Sequence, residues 1–320
     1  MNYSRAYLCG ITAFSLFYAG TSSVSSQEVD ADGRPVDRVE FQSYQDVESL
    51  LEELEYTPAA WQAGIREIPR LYLTDIPPRW REQTSKEVSV QVKKQLFFRM
   101  LAPLALRANE LILRDRDRAG SLADDLDADR AIADNDREWL AALAIHYRVI
   151  ENTDDSLPAD ALTELLTRVE RVPLSLALSQ AAEESGWGTS RFAAEGNALF
   201  GQWTWGSERI APLEQRSGLG DYGIAAFETP LLSIIAYMRN LNTHPAYADL
   251  RARRAEMRAA GKRISGWRLA ETLTSYSERG SEYVDTLHTI MRVNQLDAAD
   301  DAYLSDDASI YLIPVGPAAE

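Results

Sequence analysis

Apolar residues recur at helical spacing through much of the first half of the chain, starting near Trp61. The clearest stripe, with steps of three and four residues, consists of Val92, Leu96, Phe97, Met100, Leu101 and Leu104. Pro103 is expected to kink or divide this helix, because proline removes a backbone hydrogen bond. Residues 120–137 are rich in Asp and Ala and indicate a solvated connection or a weakly buried helix. Residues 139–149 predict another helix.

The second half of the chain alternates more sharply between apolar and polar positions. Residues 159–170 predict an amphipathic helix, and Pro173 is suited to the first turn of the next one. That helix is predicted to end at the turn formed by residues 185–188, where two glycines follow the last apolar position.

A different pattern follows at residues 201–227, where Gly, Trp, Pro and short alternating stretches predict a small β-hairpin lobe. Thr229 and Pro230 are typical of a helix start. Residues 251–263 form a basic amphipathic helix, and two more helices are expected after it. No regular alternation of strands and helices predicts a parallel sheet, so the fold class is mainly α (α+β).

These patterns divide the chain at the acidic, proline-terminated stretch 151–158 and at changes of composition near the two ends. We predict five parts: a signal peptide at 1–26, a flexible acidic segment at 27–58, a helical N-terminal domain at 59–155, a second domain containing the β lobe at 156–297, and an acidic tail at 298–320.

The N-terminus has the features of a secretory leader. Arg5 precedes a largely apolar stretch at 6–20, and the small residues at 24–26 suit cleavage before Gln27. A retained membrane anchor is the alternative, but the apolar run is short for a bilayer span. We therefore expect a periplasmic protein with no stable membrane insertion after cleavage.

Charge and cysteine content exclude several classes of function. The formal net charge is −16, which argues against nucleic acid as a partner, because phosphate binding needs clustered Lys and Arg. Cys9 is the single cysteine and lies in the leader, which excludes cysteine nucleophiles in the mature chain. The three histidines lie far apart in the sequence, and we expect neither a metal nor any other cofactor.

Two adjacent glutamates end the helix predicted after Pro173. The apolar stripe of this helix consists of Leu174, Ala177, Leu178 and Ala181. At about 100° per residue, Glu184 lies at the edge of the stripe and Glu183 points towards solvent. We therefore expect a partly buried Glu184 beside an ordinary surface carboxylate at Glu183.

Both burial and the negative end of the helix dipole raise the pKa of a carboxyl at this position. Trp187 could supply apolar cover for Glu184. A carboxyl that stays protonated near neutral pH can protonate the leaving oxygen of a glycoside. The alternative is a glutamate that caps the helix or forms a bridge at a domain surface.

Residues 181–188, AAEESGWG, resemble the A-x-x-E-S-G-W-G signature of bacterial glucosaminidases, which are relatives of flagellar and autolysin peptidoglycan hydrolases. Residues 197–201, NALFG, are similar to the N-x-F-G turn of that family, with one extra residue. Tyr276 and Tyr283 resemble its C-terminal tyrosine pair. Residues 237–247 and 93–104 resemble more narrowly the Bax-type proteins of Gram-negative bacteria.

The resemblance implies a lysozyme-like fold and hydrolysis of the β-1,4 bond after N-acetylglucosamine in peptidoglycan glycan strands. It implies that Glu184 is the general acid, that Tyr276 lines the catalytic cleft, and that Phe200 and Gly201 form the floor. The residues expected to bind substrate are Trp187, Asn197, Phe200, Gly201, Trp203, Trp205 and Tyr283.

A second carboxylate is less well defined. Glu208 and Glu214 lie in the predicted lobe and are the first candidates for a base or nucleophile, ahead of Asp221 and Glu228. Assistance by the N-acetyl group of the substrate is an alternative route.

Two further features of the sequence admit two interpretations. Trp203 and Trp205 share one face if they lie in a strand, where they either stack on sugar rings or close the core of the lobe. The basic helix at 251–263 either meets acidic stem peptides of peptidoglycan or is a solvated face.

Two other functions remain open. A lytic transglycosylase also has Glu-Ser at a helix end and needs one acid, but residues 194–201 are closer to the glucosaminidase pattern. A non-catalytic cell-wall binding protein with the same fold is the other alternative.

Overall fold

A computed structural model of the chain describes residues 28–152, 157–215 and 220–316. The predicted signal peptide lies outside the described residues. Within those ranges, no helix has both the length and the apolar character that crossing a membrane requires.

The first part of the chain contains short strands and one very long helix. Its strands are β1 (Val36–Phe41), β2 (Glu67–Ile68) and β3 (Leu71–Leu73). Its helices are α1 (Tyr44–Glu53), α2 (Pro58–Gln62), α3 (Ser85–Glu87), α4 (Val90–Asp127) and α5 (Asp134–His146), with a π-helical turn at Trp80–Thr84.

The second part of the described chain contains the other seven α-helices. These are α6 (Ala159–Arg168), α7 (Leu174–Ser185), α8 (Arg191–Gly196), α9 (Pro230–Thr243), α10 (Ala248–Ala259), α11 (Gly266–Ala270) and α12 (Ser281–Val293). Its strands are β4 (Trp203–Thr204), β5 (Arg209–Ile210), β6 (Gly223–Ala225), β7 (Tyr303–Leu304) and β8 (Ser309–Pro314), and 3₁₀ turns lie at Pro245–Tyr247 and Leu296–Asp301. The mainly α architecture predicted from the sequence is confirmed.

Helix α4 is continuous, although it contains a proline. Ser89 caps its first turn by accepting a hydrogen bond from the Val92 amide, and the helix runs through Pro103 for 38 residues. The expectation that Pro103 would divide the helix was therefore wrong. Leu101 and Leu104 on either side of it are fully buried, and this burial offsets the missing hydrogen bond.

The two ends of the described chain form a parallel sheet in the order β1-β8-β3. Strand β8 pairs with β1 from Val36↔Ser309 to Phe41↔Pro314, and with β3 from Leu71↔Ile310 to Leu73↔Leu312. This corrects the expectation that the fold has no parallel sheet. Pairing between residues more than 230 positions apart leaves no local strand-helix alternation in the sequence.

The sheet also corrects the picture of flexible acidic ends. Strand β1 and α1 lie within 27–58, where Ser43 and Asp46 form a reciprocal capping box at the start of α1. The tail at 298–320 supplies β8, the central strand, in which Leu312 is fully buried. Both segments carry acidic side chains on exposed positions, so composition alone suggested solvation.

The predicted β lobe is present as a small antiparallel sheet in the order β4-β6-β5. Trp203 pairs with Ile224, and Ile210 pairs with the same residue from the other side. The lobe follows α8 directly and precedes α9.

Helix α7 lies at the centre of the hydrophobic core, packed against α4, α11 and α12. All but two of its twelve residues are buried, and the exceptions are Glu183 and Glu184 at its last turn. Because α4 also packs against α9, the two predicted helical domains share a single core.

One buried carboxylate joins the tail to the start of α7. Asp300 Oδ1 accepts a hydrogen bond from the Ser175 amide at 2.8 Å, and its Oδ2 accepts one from the Gly266 amide at 2.8 Å. A Cβ atom at Gly266 would lie 2.1 Å from Ser175 Oγ, so glycine allows both helix starts to share one carboxylate. Burial raises the pKa of Asp300 despite these bonds.

Replacing Asp300 with Asn is expected to lower the free energy of unfolding by about 1–3 kcal/mol, because the amide NH₂ faces a backbone donor and leaves it unpaired. Urea unfolding of the purified protein measures this loss. The control is Asp301→Asn, which removes a surface ion pair with Arg263 and should cost less than about 1 kcal/mol. Equal losses in the two variants would contradict the capping role.

The arginines of α10 do not form a free basic face. Arg254 is buried and donates to the carbonyls of Thr167 and Glu170 and to Asn242. Arg258 pairs with Glu170. Arg254 therefore binds the carbonyl end of α6 and is not part of a solvated face. Arg258 is 42% exposed although it is paired, and residues 258–263 form the solvated part of this segment.

Candidate active site

The turn at the end of α7 fixes the position of the two glutamates. Gly186 and Trp187 both have left-handed backbone angles, with φ of 57° and 64°. The Trp187 amide donates to the Ala182 carbonyl at 2.9 Å, which closes the helix end. Ser185 Oγ donates to the Ala181 carbonyl and accepts from the Gly188 amide at 2.8 Å. The E-S-G-W-G residues therefore build a rigid helix terminus.

A chain of hydrogen bonds holds the Glu184 side chain. Tyr283 OH donates to Glu184 Oε1 at 2.7 Å, and Gln180 Nε2 donates to Tyr283 OH at 2.9 Å. Tyr237 OH in turn donates to Gln180 Oε1 at 2.7 Å. Gln180, Tyr237 and Tyr283 are all buried, so the chain fixes both the orientation of the carboxyl and the direction of each donor.

Burial is the main cause that raises the pKa of Glu184. The nearby charge of Glu183 raises this pKa further, while the Tyr283 hydrogen bond and the Arg279 charge act in the opposite direction. The direction agrees with the sequence-based expectation. A carboxyl in this setting can hold a proton at a higher pH than a free glutamate.

Glu183 is not the ordinary surface carboxylate that the helix pattern predicted. Its side chain is 27% exposed, and Arg279 Nη2 donates to its Oε1 at 2.5 Å. Arg279 also lies over the Tyr283 ring, 5.4 Å from the centroid. The loop before α12 brings this arginine to the end of α7, which a single-helix projection does not reveal.

Aromatic rings surround the carboxyl. Tyr276 stacks on Tyr283 with centroids 5.4 Å apart, and Tyr247 lies 5.7 Å from Tyr276. Phe200 stacks on Tyr237 at 3.8 Å. Burial raises the pKa of Tyr276, and the Glu184 charge adds to this effect. The structure thus brings Tyr276 and Tyr283 close to Glu184, while Phe200 packs on Tyr237.

Trp187 packs away from the glutamate that it was expected to cover. Its ring forms edge-to-face contacts with Phe97 and Phe98 of α4, and Lys94 Nζ lies 4.7 Å from its centroid. Its carbonyl accepts a hydrogen bond from Trp80 Nε1 at 3.0 Å. The left-handed turn after α7 reverses the chain and directs this ring to the N-terminal part of the fold.

Both ends of the Asn197 side-chain amide form hydrogen bonds within the protein. Its Oδ1 accepts from the Ile76 amide, and its Nδ2 donates to Asp75 and to the carbonyls of Phe227 and Glu228. The residue is 5% exposed. The predicted role in substrate binding is therefore corrected to a brace between the loop after β3 and the loop after β6.

The two tryptophans of the β lobe are exposed. Trp203 lies in β4 and stacks on Tyr222 at 4.7 Å, while Trp205 follows the strand. Their exposed fractions are 43% and 59%, which favours a surface role over closure of the lobe core. Gly201, at the start of the lobe, adopts a left-handed conformation with open space beside its Cα.

The four candidates for the second carboxylate do not contact Glu184. Glu208, Glu214 and Glu228 are exposed, and Asp221 pairs with Arg209 on the lobe. Among the described residues, no hydrogen bond or ion pair joins any of these carboxylates to Glu184.

Three residues near Glu184 were not predicted as site residues from the sequence. Gln180 lies one helical turn before Glu184, but a buried glutamine has no sequence signal of its own. Tyr237 and Tyr247 lie in the stretch 237–247 that resembles Bax-type proteins, but the resemblance gave neither residue a role. Over the described ranges, no group of three His, Cys, Asp or Glu side chains is suited to hold a metal ion.

Comparison with known proteins supports the resemblance seen in the motifs. Residues 160–296 match the Glucosaminidase family model, described as mannosyl-glycoprotein endo-beta-N-acetylglucosaminidase. The chain is 37% identical over 132 residues to "Protein bax" of Escherichia coli (strain K12), covering 41% of this chain and 46% of that protein. The matched part thus spans about half the length of this curated relative. No solved structure matches the chain. Residues 160–296 are therefore similar to the glucosaminidase family, and the likeness to the Escherichia coli protein supports the same assignment.

Proposed function

We propose that this protein hydrolyses the β-1,4 bond after N-acetylglucosamine in the glycan strands of peptidoglycan, with Glu184 as the general acid. The family of its domain indicates a peptidoglycan-related glycosidase. The single observation that carries the finer proposal is the half-buried Glu184 carboxyl, which has a raised pKa and is fixed by Tyr283.

Proton donation by Glu184 starts the reaction. Its carboxylic acid protonates the glycosidic oxygen as the bond to the anomeric carbon breaks, and positive charge develops on the sugar ring. The hydrogen bond from Tyr283 occupies Oε1, which leaves Oε2 free to carry the transferable proton. Tyr276 stacks on Tyr283 and is close enough to Glu184 for its charge to act on the phenol, which supports its proposed place in the catalytic cleft.

Water then completes hydrolysis at the anomeric carbon. Glu208 and Glu214 remain the candidates for the base on the β lobe, and participation of the substrate acetamido group is the alternative. The exposed rings of Trp203 and Trp205 are suited to stack on sugars at the same lobe. Since the substrate lies outside the inner membrane, the proposed site of action is the periplasm.

Digestion of purified sacculi tests the proposal. The products are reduced with borohydride and analysed by mass spectrometry, and the expected product is reducing-end N-acetylglucosamine. Anhydro-muramyl ends would show a lytic transglycosylase, a reaction that needs one acid. No products from folded protein that still sediments with sacculi would favour a wall-binding protein.

Replacing Tyr283 with Phe is expected to shift the basic limb of the kcat/KM profile to higher pH. The Tyr283 hydrogen bond lowers the pKa of Glu184, so its loss raises that pKa and keeps the acid protonated further into the alkaline range. The measurement is the pH dependence of turbidity clearance on sacculi. Tyr303→Phe, at an exposed position on β7, is the control and should leave the profile unchanged. A shift to lower pH in Tyr283→Phe would contradict the assignment.

A further inference from the structure

A second concave site lies between the N-terminal part of the fold and the back of α7. This groove encloses about 570 Å³, a volume typical of sites for small molecules or short peptides. Its walls include Tyr56 and Trp61 near α2, Phe98 on α4, and Leu174 and Leu178 on α7. None of the residues assigned to the Glu184 cleft lines it.

The groove has a charge opposite to that of the whole chain. Lys94 and Arg99 are the charged residues among those that line it, and no carboxylate lies in its described wall. This contrasts with 49 acidic against 33 basic residues in the sequence. The combination of apolar walls and two cations matches a ligand that has apolar groups and at least one anion.

Arg99 lacks an acceptor for most of its guanidinium. Its Nε and Nη2 are buried, and neither donates a hydrogen bond to a described residue. The group lies over the Tyr56 ring at 5.3 Å. Glu48 and Glu52 of α1 are close enough to act on its charge, but neither forms an ion pair with it among the described residues. A buried cation without an anion is costly, and a bound carboxylate would offset that cost.

The groove is open at its edges, and one of its residues contacts the turn that follows α7. Val90 and Val293, which line it, are 64% and 57% exposed and add apolar surface at its edge. At one end, Lys94 lies over the ring of Trp187, three residues after Glu184. This contact connects one end of the groove to the turn that follows Glu184.

We propose that the groove binds the carboxylate-bearing peptide stem of peptidoglycan, with Arg99 and Lys94 as its anchors. This inference rests on the proposed function, because it assigns the groove to the same substrate. Arg99 would pair with a stem carboxylate, and the apolar walls would cover the peptide backbone and its small side chains. Strands that carry stems would then be preferred over bare glycan.

The test measures binding of a free stem tetrapeptide by isothermal titration calorimetry. The free peptide contains no glycosidic bond, so its binding is independent of glycan cleavage. We expect binding to the wild type, and a loss of roughly tenfold or more in affinity for Arg99→Gln or for the peptide with amidated carboxylates. Arg130→Gln is the matched control, since it makes the same charge change at an exposed ion pair with Asp125 and should bind normally.

Stability provides a second readout. Because Arg99 forms no ion pair with any residue that the structure describes, Arg99→Gln should unfold at the same urea concentration as the wild type or a higher one. If this variant did not fold, Lys94→Gln at the other end of the groove should weaken binding in its place. No binding of the stem, unchanged affinity in Arg99→Gln, or equal binding of an unrelated acidic peptide would each overturn the assignment.

Cleavage of glycan strands stripped of their peptides separates this inference from the proposed function. Cleavage of the stripped strands without binding of the stem would leave the function intact and refute the groove. Binding of the stem that depends on Arg99, without cleavage of any glycan, would support the groove and refute the function.

Discussion

Replacing Glu184 with Gln is expected to reduce peptidoglycan cleavage by about 10²- to 10⁴-fold, the range typical for loss of a general acid. Glutamine keeps an oxygen that can accept the Tyr283 hydrogen bond, so the side chain should stay in place. It cannot donate a proton to the leaving oxygen. Product release from sacculi measures the loss of activity, and circular dichroism and urea unfolding establish that the fold is intact.

Glu183→Gln is the matched control, one residue away and with the same chemical change. It should keep the maximal rate within a small factor. Neutralising Glu183 removes a charge that raises the pKa of Glu184, so the basic limb of the profile should move to lower pH. Full activity in Glu184→Gln, or an equal loss in both variants, would contradict the assignment of the acid.

The largest effect on stability is expected for Arg254→Met. Burial lowers the pKa of Arg254 to about 9, which leaves it protonated at neutral pH. It donates to the carbonyls of Thr167 and Glu170 and to Asn242 Oδ1, and all of these acceptors lose a partner in the variant. We expect the free energy of unfolding to fall by about 3 kcal/mol or more, measured by urea denaturation.

Arg253→Met is the control for this substitution. Arg253 precedes Arg254 in α10 but is 42% exposed and pairs with Glu271 at the surface, so its loss should cost less than about 1 kcal/mol. Similar losses in both variants would mean that the buried network contributes little beyond the propensity of the helix.

The position of Glu184 could be predicted because it depends on local rules. Helical periodicity placed it at the edge of the α7 stripe, and the Gly186 turn marked the end of the helix. The raised pKa followed from the same position. The partners Gln180, Tyr237 and Tyr283 belong to three helices, so their hydrogen-bond chain depends on packing that periodicity does not contain. The pairing of Glu183 with Arg279 was missed for the same reason.

The motif positions of two residues did not predict which groups their side chains contact. Asn197 and Trp187 were assigned to substrate binding because they lie in motifs. In the structure, Asn197 braces two loops and Trp187 packs on α4. Both residues therefore hold the backbone on either side of the motif in place through contacts inside the protein.

The ends of the chain were the least predictable part, because β8 has no sequence neighbour that identifies its partners. Strands β1 and β3 precede it by more than 230 residues, and short edge strands carry weak patterns. The buried Asp300 was likewise counted with an acidic tail, because composition does not distinguish a capping carboxylate from a solvated one.

The central position of β8 has a consequence for the order of folding. During vectorial synthesis, β1 and β3 emerge early but cannot join into one sheet until residues 309–314 have followed. Residues 160–296, which match the glucosaminidase family model, lie between these strands in the sequence. Closing so long a loop is entropically costly and slow, so the sheet should form last, on a helical core that has already assembled. A ribosome that stalls before residue 309 would release a chain with two unpaired strand edges, a substrate for chaperones and proteases.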